Sequence, residues 1–138
     1  MPTIDLLTLA NHAEAANGLL YLTGAGWDTI TRNYAAGSTP QPHHFGIGLN
    51  VVVDWHETNQ PWKLELWIED EDGVNRLLAV DANLEVGRPV GRPPGSSTRA
   101  VMAIAANVSF PAPGGYRVVA ELAEQQRTYS FRVVDKVG

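Results

Sequence analysis

Cysteine is absent from the chain. Disulfides, thiolate metal sites and a cysteine nucleophile are therefore excluded. Charge is scarce as well. Asp, Glu, Lys and Arg supply 18% of the 138 residues, and the net charge is −5. An acidic chain lacks the basic surface that general nucleic-acid binding needs, so no nucleic-acid partner is expected. No apolar run approaches the roughly 20 residues that span a bilayer, and no membrane partner is expected. Met1 to Ala10 carries an early Asp5 and no Lys or Arg, unlike a secretory signal. A cytoplasmic protein is the expectation. Helical periodicity is nearly missing too. Ala10 to Ala16 has good helix formers, but it is short and runs into Asn17-Gly18, so a strand end and a turn fit it better.

What the sequence has is apolar residues (44%) in strand patterns. That fraction, over a chain of this length, supports one hydrophobic core and a single domain spanning residues 1–138. Ile4 to Ala10 reads as a first strand. Gly18 to Ala25 reads as a second, apolar on both faces and hence central or covered on both sides. From Phe45 to Trp55 the alternation is strict. Phe45, Ile47, Leu49, Val51, Val53 and Trp55 take the core face, against Gly46, Gly48, Asn50, Val52 and Asp54. Trp62 to Asp70 repeats it, with Trp62, Leu64, Leu66 and Ile68 inward and Lys63, Glu65, Trp67 and Glu69 outward. Asp72-Gly73 is a hairpin signal. A long bent strand over Val74–Val86, another over Arg99–Phe110, and a closing hairpin of Tyr116–Ala123 and Thr128–Val134 complete the set.

About eight strands without a crossover helix predict mainly antiparallel sheets. The expected fold is all-β, a two-sheet sandwich that is immunoglobulin-like or jelly-roll-like. Pro-Gly-X-Tyr at Pro113–Tyr116 is similar to the approach to the last hairpin of immunoglobulin-like domains. Between Gly26 and His44 no strand of length is evident, and loops this long are often functional.

Six motifs run through nearly the whole chain. They are Ala10-Asn11-His12-Ala13-Glu14, Asn17-Gly18-Leu19-Leu20-Tyr21, Gly26-Trp27-Asp28, Trp55-His56-Glu57-Thr58-Asn59, Glu85-Val86-Gly87-Arg88-Pro89 and the Pro111-to-Tyr116 turn. Together they resemble an uncharacterised bacterial family of small proteins, a domain of unknown function. The resemblance implies one compact domain and supplies no catalytic residues.

Function is read from the residues that the strand pattern leaves outside the core. Trp67 lies in polar phase, Trp27 and Tyr34 lie in the long loop, and Trp55 adjoins a polar turn. Aromatic residues and arginine dominate interface hot spots, and exposed apolar patches mark contacts. Arg88 and Arg92 sit in a Gly/Pro-rich loop (Gly87 to Ser97) suited to docking a protein or an anion. Charge is split along the chain. Nine acids fall between Asp54 and Glu85, and none falls between Val86 and Ala120, where Arg88, Arg92, Arg99 and Arg117 occur. Such a split steers complementary surfaces together unless folding interleaves the segments. The leading expectation is a non-catalytic protein-interaction or assembly module that self-associates through a Trp67-bearing face, with no cofactor.

Two alternatives stand beside it. The first is a metal protein or small enzyme using His12 and Glu14, which share a strand face, with Asp54 and His56. Adjacent His43-His44 lacks the His-X-His spacing of a cupin-type site. The acidic turn Glu69 to Asp72 is a weak calcium candidate, since calcium needs six or more converging oxygens. No serine sits in a Gly-X-Ser-X-Gly elbow. The second alternative is a carbohydrate- or small-ligand-binding sandwich that stacks its ligand on Trp27, Trp55 and Trp62.

Overall fold

The computed structural model describes residues 1–138. Nine strands form two sheets. They are β1 (Thr3–Ala16), β2 (Leu19–Ala25), β3 (Thr29–Tyr34), β4 (His43–Val53), β5 (Pro61–Asp70), β6 (Arg76–Glu85), β7 (Thr98–Val108), β8 (Gly114–Leu122) and β9 (Gln125–Val137). One short 3-10 turn covers Trp55–Glu57. The first sheet runs β2-β1-β4-β7 and the second β3-β9-β8-β5-β6. The chain passes between sheets at β2 to β3, β3 to β4, β4 to β5, β6 to β7 and β7 to β8, and β8–β9 closes as a hairpin. Connections that cross between two packed sheets are common to immunoglobulin-like and jelly-roll sandwiches, and a local feature points to the immunoglobulin-like alternative. A tyrosine corner supports it. Tyr116, at the start of β8, donates its hydroxyl proton to the Ala112 carbonyl at 2.5 Å.

Alternation puts the core where period two requires it. Phe45, Ile47, Leu49 and Val53 on β4 are fully buried, facing Leu64, Leu66 and Ile68 of β5 and Val118 and Leu122 of β8. Each such side chain contributes about 1.5–3 kcal/mol by leaving water. At one end Phe45, Phe110, Tyr116 and Phe131 form an aromatic cluster with centroids 4.8–6.4 Å apart.

Several expectations need correction. The count is nine strands, because the Gly26–His44 segment contains β3. β3 pairs in parallel with β9, the single parallel pairing in sheets that are otherwise antiparallel, as expected. The pattern of β3 is masked because its inward positions are Ile30, Arg32 and Tyr34. Arg32 is buried as an ion pair with Asp135, directly opposite it in register. β2 is neither central nor doubly covered. It is an edge strand, with Leu19 and Tyr21 at least half exposed. Val74 lies in the turn before β6 and is exposed, and Trp55 has left β4 for the 3-10 turn.

The long β1 explains the apolarity of β2. Thr3 to Ala10 pairs with β4, and Ala10 to Ala16 pairs with β2 through a two-residue Asn17-Gly18 turn. Both turn residues have positive φ (53° and 74°), which this turn requires. The far half of that hairpin folds over the outer face of β4. A methyl group on Gly48 would lie 2.9 Å from Leu22 and 3.2 Å from Leu20. One on Gly46 would lie 2.7 Å from the Ala13 methyl and would press on the Ala13 amide nitrogen. The two glycines are the seat on which the hairpin rests.

Candidate interaction surface

The structure scatters the residues that sequence reasoning marked as a surface. Trp67 does point away from the core, but it is only 6% exposed. The Arg76 guanidinium lies 4.0 Å over its ring. Its indole N–H donates to Glu69, and Arg117 donates to the same carboxylate at 2.6 Å. The indole hydrogen bond, followed by Arg117, holds the Glu69 carboxyl below its ordinary range. An exposed Trp67 docking face is therefore absent, because the residues flanking it are long enough to roof it. The same contacts set basic Arg117 against the acidic segment, so folding interleaves part of the charge split.

Trp27 packs edge-on to Phe45 with centroids 6.1 Å apart, and its carbonyl accepts from the Tyr129 hydroxyl at 2.6 Å. Tyr34 donates to Asp135 at 2.9 Å, beside the Arg32–Asp135 pair. These contacts lower the Asp135 carboxyl, Arg32 first and Tyr34 second, and the shared hydrogen bond raises the Tyr34 phenol. A cleft of about 530 Å³ opens over this trio, with Pro40, Phe110 and Pro111 on its walls. All three Arg32 donor groups are engaged, with Nη1 on the Phe110 carbonyl at 2.7 Å. The cleft floor offers no free charge.

Trp55 and Arg88 come together. The guanidinium lies 4.2 Å over the Trp55 ring and donates to Thr58 Oγ1 at 2.7 Å and to the Trp55 carbonyl at 2.9 Å. Asn59 N–H reaches the Val86 carbonyl at 2.8 Å, and the Trp62 indole donates to the Glu57 carbonyl at 3.0 Å. The Trp55–Asn59 and Glu85–Pro89 motifs thus form one knot. Trp55 has one ring face occupied by Arg88, and Trp27 and Trp62 are half-buried residues packed against the core, so the three do not share one open surface. Arg92 is exposed and donates only to the Ser97 carbonyl, at 3.3 Å.

The proposed metal ligands are not assembled. Antiparallel pairing sets Thr3 opposite Val52 and Ala10 opposite Gly46. Asp54 and His56 therefore follow β4 at the Thr3 end, while His12 and Glu14 lie past Ala10 at the other end. No three His, Asp or Glu side chains converge anywhere. His43 stands alone, half-buried against Phe45, and burial followed by the neighbouring His44 pushes its imidazole down.

The surface that sequence reasoning missed lies between β6 and β7. These strands end their sheets on the same side of the sandwich and approach each other there. Leu78, Val80 and Leu84 of β6 face the core opposite Ile68, Leu66 and Trp62. Ala100, Met102 and Ile104 of β7 face it opposite Val51, Leu49 and Ile47. All six are only half-buried. On the opposite side, Ile30 and Arg32 of edge strand β3 are buried. The seam is therefore an apolar strip that the chain covers less completely than the rest of the core. β7 forms one of its lips, carries no charge from Ala100 to Val108, and hydrogen-bonds only to β4 along its backbone. The signal was present in the sequence as an uncharged β7, but an edge strand and a central strand look alike until the strand order is known.

No helix is long and apolar enough to cross a membrane. A comparison with curated proteins gives no match. Among solved structures the chain is similar to the Pseudomonas fluorescens alkylpurine DNA glycosylase AlkC bound to DNA containing an abasic site analog. The identity is 11% and the TM-score 0.38, over 93% of this chain and 30% of that one. The chain thus spans less than a third of that protein's length. A family model matches residues 5–134, nearly the whole chain, and the protein belongs to that family, the family of unknown function DUF6941.

Proposed function

We propose that this is a cytoplasmic bacterial protein that works as a non-catalytic assembly module, self-associating through the β6–β7 seam. The observation that carries the reading is the open seam itself. Six core-facing apolar side chains stay only partly buried on one side of the sandwich, beside an uncharged strand with a free backbone edge. Apolar strips of this kind mark contact sites. Soluble proteins guard long edge strands with charge, proline or a cover, and β7 has none of these between Ala100 and Val108. Neither a cofactor, a nucleic acid nor a membrane enters this reading. The acidic, cysteine-free composition supports the compartment.

Light scattering on untagged protein across a concentration series tests it. The expected result is a species of twice the 15.0 kDa chain mass. A monomer of unchanged mass throughout the series would end the self-association reading.

A further inference from the structure

Four strands end the two sheets, and they differ in what they offer a partner. β3 is short, and its inward positions are sealed. β2 is uncharged, but its hairpin is bent onto Gly46 and Gly48, out of line with the sheet. A strand added there would not extend the sheet. β6 carries Arg76, Asp81 and Glu85. Its irregularity opposite Ile68 and Glu69 brings Arg76 to the same face as Ala79, Asp81 and Asn83. In an antiparallel self-pairing, Arg76 meets Glu85 of a second copy only in the register that sets Asp81 against Asp81. Like charges directly opposite are unfavourable, so β6 is guarded against its own kind.

β7 is not. Its outward residues are Arg99, Val101, Ala103, Ala105 and Asn107, by alternation with the inward Ala100, Met102, Ile104 and Ala106. Thr98–Val108 has its midpoint at Ala103. Full overlap of two antiparallel copies therefore sets Ala103 on Ala103, Val101 on Ala105, Met102 on Ile104 and Arg99 on Asn107. The strand's one charge lands on a neutral amide whose oxygen accepts from a guanidinium. No charge meets its like, and the small outward side chains let the strands approach. The pairing also completes the burial of Met102 and Ile104, which the monomer leaves partly exposed.

We propose that the partner of β7 is β7 of a second copy, antiparallel about a two-fold axis at Ala103, joining two four-stranded sheets into one of eight. This rests on the self-association reading above and adds its geometry. An isologous contact closes at the dimer, whereas a β7-to-β2 contact would propagate into filaments.

Charge at the two-fold position tests the geometry. Ala103 is half-buried, with its side chain on the outer face of an edge strand, so Ala103→Glu and Ala103→Lys chains fold, as circular dichroism and melting would verify. Each variant alone sets like charges against each other across the axis and weakens the dimer by about tenfold or more. Mixed one to one, the two variants restore a dimer, detected by light scattering and by native mass of the mixed species. Wild type that is a dimer, with both variants still dimeric, overturns the Ala103 axis and leaves self-association standing. Monomeric variants whose mixture stays monomeric overturn the axis as well. Growth beyond the dimer overturns the closed contact. A monomeric wild type overturns both readings.

Discussion

Replacing Gly46 by alanine is expected to damage the protein, while the same change at Gly48 is nearly neutral. The two glycines sit two residues apart on the same face of β4, under the same hairpin. In both cases alanine removes the strand penalty of glycine, a gain of about 0.5–1 kcal/mol. Burying the new methyl adds about 0.8 kcal/mol. Against this stands overpacking, about 1–3 kcal/mol. At Gly48 the new methyl meets the ends of Leu20 and Leu22, at 3.2 and 2.9 Å. Those ends rotate away, so the cost falls near the bottom of the range and the sum lies near zero. At Gly46 the methyl meets backbone: the Ala13 amide nitrogen, and the His12 carbonyl carbon at 2.9 Å. Backbone cannot rotate aside, so the hairpin must lift. The cost reaches the top of the range or beyond, leaving a net loss of about 2 kcal/mol.

Urea titration and thermal melting measure both variants. Gly46→Ala should melt about 6–10 °C below wild type, and Gly48→Ala within about 3 °C. Hydrogen exchange separates a lifted hairpin from general weakening. The amides of Ala10–Ala25 should lose protection first, before those of β5 and β8. Gly46→Ala melting with or above wild type, with its hairpin amides still protected, would refute the seating of the hairpin.

Three further changes probe the remaining contacts. Arg88→Lys keeps the charge but loses the planar fork on Thr58 and the Trp55 carbonyl, and should cost about 1 kcal/mol with a shift in tryptophan emission; emission and stability both unchanged would show that the knot does not form. Tyr116→Phe removes the hydroxyl bond to Ala112 and should cost about 1 kcal/mol in urea, and a null result would deny the tyrosine corner its stabilising role. Asp135 and Glu69 both titrate below their ordinary range in the folded chain. Their contribution is complete above the unfolded carboxylate values near pH 4 and is lost as pH falls through the lowered folded values. Asp135→Asn should therefore lower stability at pH 7 and flatten the acid limb, and an acid limb as steep as wild type would contradict the pairing with Arg32.

Period two made β4 and β5 legible, because both alternate cleanly and one face of each is buried. It failed where a charged residue occupies a core position. Arg32 reads as a loop residue until Asp135, 103 positions away, arrives opposite it on β9. Parallel pairing of β3 with β9 has no local signature, since the partners are distant in the chain. Trp67 was assigned to the correct face and the wrong environment. Phase shows which way a side chain points, but it cannot show that Arg76 will lie over it. The leucines of β2 misled in the opposite way. Their apolarity reflects Gly46 and Gly48 beneath the hairpin, not a place inside the sheet. The seam was invisible because strand order decides which apolar strands stay open.

The six motifs gain a common physical meaning from the structure. Ala10–Glu14 and Asn17–Tyr21 build the hairpin seated on β4. Trp55–Asn59 and Glu85–Pro89 are one knot, tied by Arg88. Trp27 and Asp28 anchor the entry to β3, where the Asp28 carbonyl accepts from Arg132 N–H at 2.8 Å. The Pro111–Tyr116 turn holds the tyrosine corner. The Gly26–Asp28, Trp55–Asn59, Glu85–Pro89 and Pro111–Tyr116 motifs hold their segments through polar or aromatic groups, whereas the two hairpin motifs seat on β4 through Ala13, Leu20 and Leu22. The motifs thus account for framework in this chain, and the surface proposed above for assembly, the uncharged length of β7, carries none of them.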